Sequence, residues 1–154
     1  NEIGESPFDV ELIYADEYIG ICAPDHPFAG ATVRARHLRD CEWIMPDLEE
    51  PARIALEAFF VAQREPSPKI KFTTNADLIV RRFLTDGGYL SMTPRTNTFL
   101  PEFPAFGRFA IEDFHFERQV GIVQRANLVT TPLQDRFKAI LSRKVGEMGR
   151  AWAA

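Results

Sequence analysis

Residues 71–94 read KFTTNADLIVRRFLTDGGYLSMTP, and this stretch decides the fold class of the chain. The alternation of apolar and polar residues over Lys69–Thr73 predicts a strand. Asn75 is a preferred N-cap for the helical pattern that follows, and Gly87 can end that helix in the left-handed conformation. Because an apolar strand resumes directly afterwards, we expect residues 70–93 to form a strand–helix–strand unit with a right-handed parallel crossover, typical of an α/β fold.

The composition indicates a globular chain that does not bind nucleic acid by itself. Its 154 residues are 45% hydrophobic, which is enough to bury a core without disulfides or metal. The formal net charge is -4. Since nucleic-acid binding needs a basic surface field that attracts phosphates, we expect no direct contact between this chain and DNA.

Cysteine usage and hydropathy predict a cytoplasmic location. Cys22 and Cys41 each lie in an apolar, strand-like context and form no CxxC pair, which favours reduced thiols. No basic and then apolar leader opens the sequence. The most apolar stretch, residues 54–62, contains Glu57 and is too short to span a bilayer. We therefore expect neither secretion nor membrane insertion.

Short strands are predicted on the amino-terminal side of this unit. Residues 10–14 and 18–23 each fit one, and the acidic pair Asp16 and Glu17 between them predicts a turn. Residues 42–45 form an apolar run that the following proline ends, which predicts a buried strand.

A helix over residues 53–64 is predicted next, with Pro51 in its first turn, where the missing N–H is not needed. One apolar stripe would contain Ile54, Ala55, Ala58, Phe59 and Ala62, with further apolar surface at Leu56, Phe60 and Val61. Because one core contact does not require so wide an apolar surface, we expect a second contact surface on this helix.

The carboxyl-terminal part carries two predicted strands and one predicted helix. The strands lie near residues 108–111 and 117–124. Thr131 and Gln134 then have the spacing of a capping box, with Pro132 at the first helical position between them. This combination predicts a helix that begins there and continues through Leu133, Phe137, Ile140, Leu141 and Val145.

Three motifs give the chain its resemblance to a known family. They are DHPFA at residues 25–29 after a strand, HLRDCEWI at residues 37–44 as a short helix and a strand, and TDGGYLSMTP at residues 85–94. Each motif alone is common in α/β proteins, whereas their order and spacing together are specific. Over essentially its whole length, the chain resembles the effector-sensing domain of LysR-type transcriptional regulators.

The resemblance implies a periplasmic-binding-protein-like fold of type 2, in which two crossing strands join two α/β lobes around a ligand cleft. By this likeness residues 17–115 form a complete second lobe, whereas residues 1–16 and 116–154 form part of the first lobe. The family's winged helix-turn-helix, its linker helix and the first strands of its first lobe have no counterpart in the sequence. We therefore expect a fragment that binds a small-molecule effector, contacts no membrane, and reaches DNA only through an absent domain.

Effector contacts are expected at strand-to-helix turns, where free backbone N–H groups and the helix dipole attract anions. By the resemblance, the turn after residues 42–45 contacts the effector, and the end of the first strand lines the opposite wall. The acidic residues Asp47, Glu49 and Glu50 either select a cationic or polyhydroxylated effector or support the helix N-terminus. Asn75 either caps the next helix or points a donor into the cleft. The candidate effector-binding residues are Glu5, Ser6, Met45, Pro46, Asp47, Leu48, Thr74, Asn75, Met92 and Thr93.

A dimer interface is also expected. The family pairs its effector domains, so the resemblance implies a homodimer or a tetramer. The second apolar surface of the helix over residues 53–64 and the strand at Lys69–Thr73 suit such a contact. The candidate interface residues are Ile54, Phe59, Phe60, Ile70 and Phe72.

Two alternatives would use the same cleft: a small α/β enzyme and a periplasmic-type solute-binding protein. The sequence has no phosphate-binding glycine loop or nucleophile elbow, and the adjacent Asp25 and His26 in a proline-flanked loop do not make an acid–base dyad. His37 and Cys41 stand at helical i,i+4 spacing, but zinc needs further ligands. A solute receptor would need a leader peptide and a complete first lobe. We therefore expect a binding domain without turnover, cofactor or metal.

Overall fold

The computed structural model describes residues 7–99, 106–127 and 129–152. This part of the chain divides into two compact units. The central unit is Glu17–Glu117, and the terminal unit combines the described residues up to Asp16 with those from Arg118 onward. The elements are mixed α and β, as the sequence predicts.

Strands and short helices alternate through the central unit, and a long helix follows the last strand. The strands are β1 (Phe8–Cys22), β2 (Thr32–Val33), β3 (Glu42–Met45), β4 (Lys69–Thr73), β5 (Ser91–Pro94), β6 (Gly107–Ile111) and β7 (Glu117–Arg125). The helices are α1 (Ala35–Leu38), α2 (Pro51–Ala62), α3 (Asp77–Gly87) and α4 (Pro132–Trp152), with a 3₁₀ helix at Arg95–Phe99. The predictions for β3 and β4 are confirmed, and α2 has Pro51 in its first turn as expected.

The prediction of two short strands near the start is wrong, because β1 is one continuous strand of 15 residues. At the expected turn, Asp16 is buried, with 2% of its surface exposed. Arg118 at the start of β7 donates from Nη2 to Asp16 Oδ2 at 3.3 Å. A carboxylate with such a partner can remain inside a strand, so the acidic pair does not force a turn. β1 pairs with β5, β6 and β7 and therefore runs through both units.

The strand order separates β4 from β5. β3 pairs with β4 in parallel on one side. On its other side the Ile44 N–H donates to the Leu90 carbonyl at 2.8 Å, and the Leu90 N–H donates to the Glu42 carbonyl at 3.0 Å. The predicted strand–helix–strand unit is therefore right in order and direction, but β3 lies between its two strands. β5 belongs to a second, five-stranded sheet, in which it pairs with β1 in antiparallel orientation.

α2 buries a different face from the predicted stripe. Its buried residues are Ala52, Arg53, Leu56 and Phe60. Ile54, placed in the stripe by the sequence, is 53% exposed. The prediction misses the true face because a charged residue, Arg53, lies on it at helical spacing from Leu56 and Phe60. These two apolar residues are fully buried in the core together with Trp43.

The caps predicted for α3 are wrong by one residue at each end. Ala76 rather than Asn75 is the N-cap. The Ala76 N–H donates to Thr74 Oγ1 at 3.1 Å, so a threonine supplies the oxygen at this turn. At the other end Gly88 rather than Gly87 adopts the left-handed conformation, with φ 65.

The capping box at the start of α4 is confirmed. The Thr131 N–H donates to Gln134 Oε1 at 2.7 Å, and the Gln134 N–H donates to Thr131 Oγ1 at 3.3 Å. These reciprocal bonds satisfy two donors that a helix N-terminus otherwise leaves unpaired. Among the helices of the described residues, none is long and apolar enough to cross a membrane.

Candidate functional site

The carboxyl ends of β3, β4 and β5 meet at one edge of the central unit. β3 is parallel to β4 and, through the bridge between Trp43 and Leu90, to the strand that leads into β5. We name residues 45–48, 73–75 and 93 the strand-end edge, because they lie at or just beyond these ends. α2 and α3 begin soon after the first two segments, so their N-terminal turns belong to the same region.

The two methionines predicted at the site contribute packing rather than polar groups. Met45 is fully buried and Met92 is 8% exposed, and both belong to the hydrophobic core. The backbone of Met45 still takes part, since its carbonyl accepts the Thr74 N–H at 3.0 Å. This bond ties the end of β3 to the turn that follows β4.

A second bond joins the same two turns through side chains. Asn75 Nδ2 donates to Asp47 Oδ2 at 2.8 Å, and both residues are exposed. Asn75 therefore serves this contact, and the expectation that it caps α3 is wrong. Leu48 beside it is 65% exposed, whereas Thr74 is half-buried.

Arg53 makes three side-chain hydrogen bonds at this edge and is absent from the predicted set. Its Nη1 donates to the Pro46 carbonyl at 3.1 Å and to Thr73 Oγ1 at 3.2 Å. Its Nε donates to Glu57 Oε1 at 3.0 Å. The sequence carries one signal for Arg53, because this charged residue stands at helical spacing from Leu56 and Phe60, which α2 buries. A search limited to strand-end turns does not include a residue inside the helix.

Thr93 reaches the edge through β5, but its hydroxyl already has a partner. The residue is 6% exposed, and its Oγ1 accepts a hydrogen bond from Asn97 Nδ2 at 3.2 Å. Asn97 belongs to the 3₁₀ helix at Arg95–Phe99, which directly follows β5. Glu5 and Ser6 lie outside the described residues. The structure thus brings together the turns after β3 and β4, with Thr93 at the end of the third strand.

The predicted interface residues divide into buried and exposed ones. Phe60 is fully buried, so the prediction is wrong at this position. Phe59 and Ile70 are half-buried and pack against the same core. Ile54 is 53% exposed and Phe72 is 40% exposed. The most exposed residues of the predicted interface are therefore Ile54 on α2 and Phe72 on β4.

Burial changes the titration of two thiols and one imidazole. Burial, and secondarily the charge of Asp25, raises the pKa of the Cys22 thiol to about 11. Burial also raises the pKa of Cys41. Burial lowers the pKa of His26, whose Nδ1 accepts the Phe28 N–H at 3.1 Å. Both thiols remain protonated at neutral pH and are poor nucleophiles there.

The candidate zinc pair forms an internal contact. Cys41 Sγ donates to the carbonyl oxygen of His37 at 3.5 Å. In the described ranges of the chain, no group of three or more His, Cys, Asp and Glu side chains is placed to hold a metal ion.

A groove of about 570 Å³ lies in the terminal unit, between β7 and α4. It is lined by Ile122, Val123, Gln124, Thr130, Leu133, Gln134, Phe137 and Lys138. Lys138 Nζ donates to Gln124 Oε1, which ties α4 to β7. None of the predicted effector residues that the structure describes lines this groove.

The family comparison identifies the class of this protein. The family model for the LysR substrate binding domain matches residues 2–146. Because this range covers most of the 154 residues, the chain belongs to the LysR substrate binding domain family. The search of curated protein sequences finds no match.

Solved structures of regulator domains share the fold at low sequence identity. The regulatory domain of CcmR from Synechocystis PCC6803, in complex with 2-PG, is 15% identical with a TM-score of 0.74 over 94% of this chain and 70% of that chain. The effector binding domain of QuiR in complex with shikimate is 16% identical with a TM-score of 0.65, over 96% and 69% respectively. HinK, a LysR family transcriptional regulator from Pseudomonas aeruginosa, is 17% identical with a TM-score of 0.71 over 96% of this chain. This chain covers 52% of HinK, about half its length.

The comparisons confirm the family resemblance and the fold class. Domains of this family have the periplasmic-binding-protein-like fold of type 2. The family and its structural neighbours are effector domains of transcriptional regulators. This finding favours effector sensing over the two alternatives, a small α/β enzyme and a solute-binding protein.

Proposed function

We propose that this chain senses a small-molecule effector for a LysR-type transcriptional regulator, and that the effector binds at the strand-end edge. One observation supports this location: hydrogen bonds hold together two turns that follow parallel strands, and α2 and α3 begin beside them. Such edges of α/β sheets bind ligands through backbone N–H and side-chain groups. Family membership and the effector-bound neighbours support the proposal.

The acidic side chains at and directly after the edge favour a polyhydroxylated effector. Asp47, Glu49 and Glu50 make the turn between β3 and α2 acidic, and carboxylates accept hydrogen bonds from hydroxyl groups. The amide of Asn75 can both donate and accept. Shikimate, the ligand of the QuiR domain, carries several hydroxyl groups, which makes it a suitable first probe.

The proposal extends to the way the chain works in the cell. We propose that it acts without turnover, in the cytoplasm, within a homodimer or tetramer whose DNA contact comes from a winged helix-turn-helix domain. The net charge of -4 supports an indirect route to DNA. An effector that prefers one of two arrangements of such an oligomer shifts the population between them.

A thermal-shift screen tests effector binding. The panel contains shikimate, 2-PG, sugars, amino acids and aromatic carboxylates, and a ligand that binds the folded state raises Tm. We expect a saturable rise with a polyhydroxylated compound, and a smaller rise in Thr74→Val. Thr85→Val is the matched control, because Thr85 Oγ1 donates to the Arg81 carbonyl on α3, away from the edge. A panel without any shift, from a chain that melts cooperatively, contradicts the proposal.

Sedimentation tests the oligomer through the exposed part of the predicted interface. Ile54→Glu and Phe72→Glu place charges on this surface, so we expect each to lower the association constant. Leu78→Glu on α3 is the matched control, since Leu78 is 79% exposed and lies outside the predicted interface. An unchanged sedimentation profile in folded Ile54→Glu and Phe72→Glu contradicts this interface.

A further inference from the structure

We propose that Arg53 is the positioning residue of the strand-end edge. Its guanidinium holds the turn after β3 and the end of β4 at the spacing that effector binding needs, without itself contacting the effector. The biological meaning of this inference rests on the proposed function, since the edge is the proposed effector site. The holding of the edge by Arg53 is measurable without any ligand.

Arg53 connects segments that are distant in sequence. Its Nη1 reaches the carbonyl oxygen of Pro46, the first residue after β3, and Oγ1 of Thr73, the last residue of β4, at 3.1 and 3.2 Å. Its Nε reaches Glu57 Oε1, one turn further along α2, at 3.0 Å. One side chain therefore fixes the distance between two strand ends and anchors both to the helix.

The position of this arginine is unfavourable without such partners. Its side chain is 10% exposed, and it lies in the first turn of α2, where the helix dipole disfavours a cation. Glu57 compensates the charge. The planar guanidinium holds its N–H groups in fixed directions and so can bind two neutral acceptors at a set spacing. A lysine ammonium group rotates freely at the end of its stem, so it does not fix the directions of its N–H groups in this way.

The backbone that Arg53 holds carries the proposed effector contacts. Pro46 directly precedes Asp47, and Thr73 directly precedes Thr74. The bonds between the two turns depend on the same spacing, because they cross from the turn after β3 to the turn after β4. Binding groups that lose a fixed arrangement lose affinity even when each group is still present.

Amide hydrogen exchange in Arg53→Gln tests this role in the effector-free chain. Glutamine keeps a polar side chain but lacks the charge and the fork of donors. We expect the Thr74 amide, which bonds across the two turns, to exchange roughly tenfold faster. The Leu90 amide, bonded within the same sheet but away from the edge, should keep its rate. Arg82→Gln is the matched control: Arg82 also pairs with a carboxylate one turn later, Asp86 at 2.6 Å, but is exposed on α3.

Two further variants keep the test decisive if Arg53→Gln weakens the whole chain. Thr73→Val removes one acceptor and preserves the shape, so it should accelerate exchange at Thr74 in the same direction but by less. Arg53→Lys should restore part of the protection, because an ammonium group keeps the charge and can donate to these acceptors but does not hold its N–H groups in fixed directions. Equal acceleration at Thr74 and Leu90 in both Arg53→Gln and Thr73→Val, or no acceleration at either amide, overturns the positioning role.

The ligand screen separates this inference from the proposed function. With shikimate as probe, or whichever panel compound shifts the unsubstituted chain, Arg53→Gln should reduce the rise in Tm at equal concentration and Arg82→Gln should preserve it. An undiminished rise in Arg53→Gln contradicts the inference and leaves the proposed function standing. If no compound shifts the unsubstituted chain, the proposed function fails, and exchange at Thr74 still decides the role of Arg53.

Discussion

The two units of this chain bury apolar surface very differently. Among the described residues, every buried hydrophobic one belongs to the central unit, where Trp43 and Phe60 have no exposed surface. In the terminal unit large apolar side chains remain exposed, as Val10 at 60% and Phe137 at 63% show. Burial of apolar surface contributes about 25 cal/mol per Å². The central unit therefore has a hydrophobic core of its own, whereas the described part of the terminal unit contains no buried hydrophobic residue.

The exposed apolar residues of the terminal unit nevertheless follow regular patterns. Val10 and Leu12 alternate along β1, and Leu133, Phe137 and Ile140 share one face of α4. From sequence alone these patterns look the same as those of a core-facing strand and helix. The comparison teaches that periodicity identifies a face that can be buried, whereas only the packed structure shows which face is buried.

The largest expected effect comes from truncating the same residue type in both units. Phe60→Ala should lower the free energy of unfolding by about 3–5 kcal/mol, because it leaves a cavity in a fully packed core. Phe137→Ala should change it by less than about 0.5 kcal/mol, since the ring is largely exposed on α4. Urea unfolding followed by circular dichroism measures both differences.

The ratio of the two effects tests the comparison itself. A loss at Phe137→Ala similar to that at Phe60→Ala would mean that the exposed face of α4 is covered in solution. Sedimentation of the unsubstituted chain at the same concentration then shows whether a second copy covers it, because self-association makes the apparent stability depend on concentration.

Elements built from local signals are well predicted from the sequence, and those that depend on distant partners are not. A terminating proline predicts the end of β3, and the alternation of apolar and polar residues predicts β4. The capping box of α4 is read from four consecutive residues. The continuity of β1 rests on Asp16 and Arg118, which are 102 positions apart. The buried face of α2 rests on Arg53, whose acceptors Pro46 and Thr73 come from two other segments. No window of a few residues contains these pairs.

A smaller effect, confined to the central unit, should appear at alkaline pH. The pKa of Cys22 rises from an ordinary 9.0 to about 11, chiefly through burial, and its thiol donates to the Gly107 carbonyl at 3.5 Å. The folded state therefore holds this proton more tightly than the unfolded chain. The stabilisation is fully present below pH 9 and is lost as pH rises through 11. Two pKa units correspond to about 3 kcal/mol.

Cysteine variants isolate this contribution from other groups that titrate at high pH. Unfolding free energies between pH 8 and pH 11 should decline less steeply in Cys22→Ala than in the unsubstituted chain. Cys41→Ala is the matched control, because burial raises that pKa too but the residue is less buried. Parallel pH profiles for Cys22→Ala and the unsubstituted chain contradict the shifted titration of Cys22.

The position of the two strand-to-helix turns was predictable from the sequence, but the contacts between them were not. Strand-to-helix turns after parallel strands follow from element order, which is why the turns after β3 and β4 lie beside each other. The roles of their neighbours depend on geometry across the edge. Asn75 bonds to Asp47 instead of capping α3. The hydroxyl of Thr93 binds Asn97 from an irregular stretch. Polar residues have several possible partners within a few ångströms, and sequence spacing does not choose among them.

The smallest expected effects come from two glycines that differ in backbone conformation. Gly146 lies inside α4 in the terminal unit, and Gly88 follows α3 in the central unit. A Cβ added at either position meets no heavy atom within 4 Å. Because both sites have room, the backbone angle φ determines the sign of a substitution by alanine.

Gly146→Ala should stabilise α4 by about 0.5–1 kcal/mol, because glycine is less favourable than alanine inside a helix by that amount. Gly88→Ala should destabilise the chain by about 1 kcal/mol, since a φ of 65 strains any L side chain. Amide exchange should slow in α4 of Gly146→Ala while the amides around Phe60 keep their rates, and urea unfolding reports the loss in Gly88→Ala. Faster exchange in α4 would contradict an open helical site at Gly146. Slowing confined to α4 is expected because the added methyl group acts on the helix that contains it and contacts no other element.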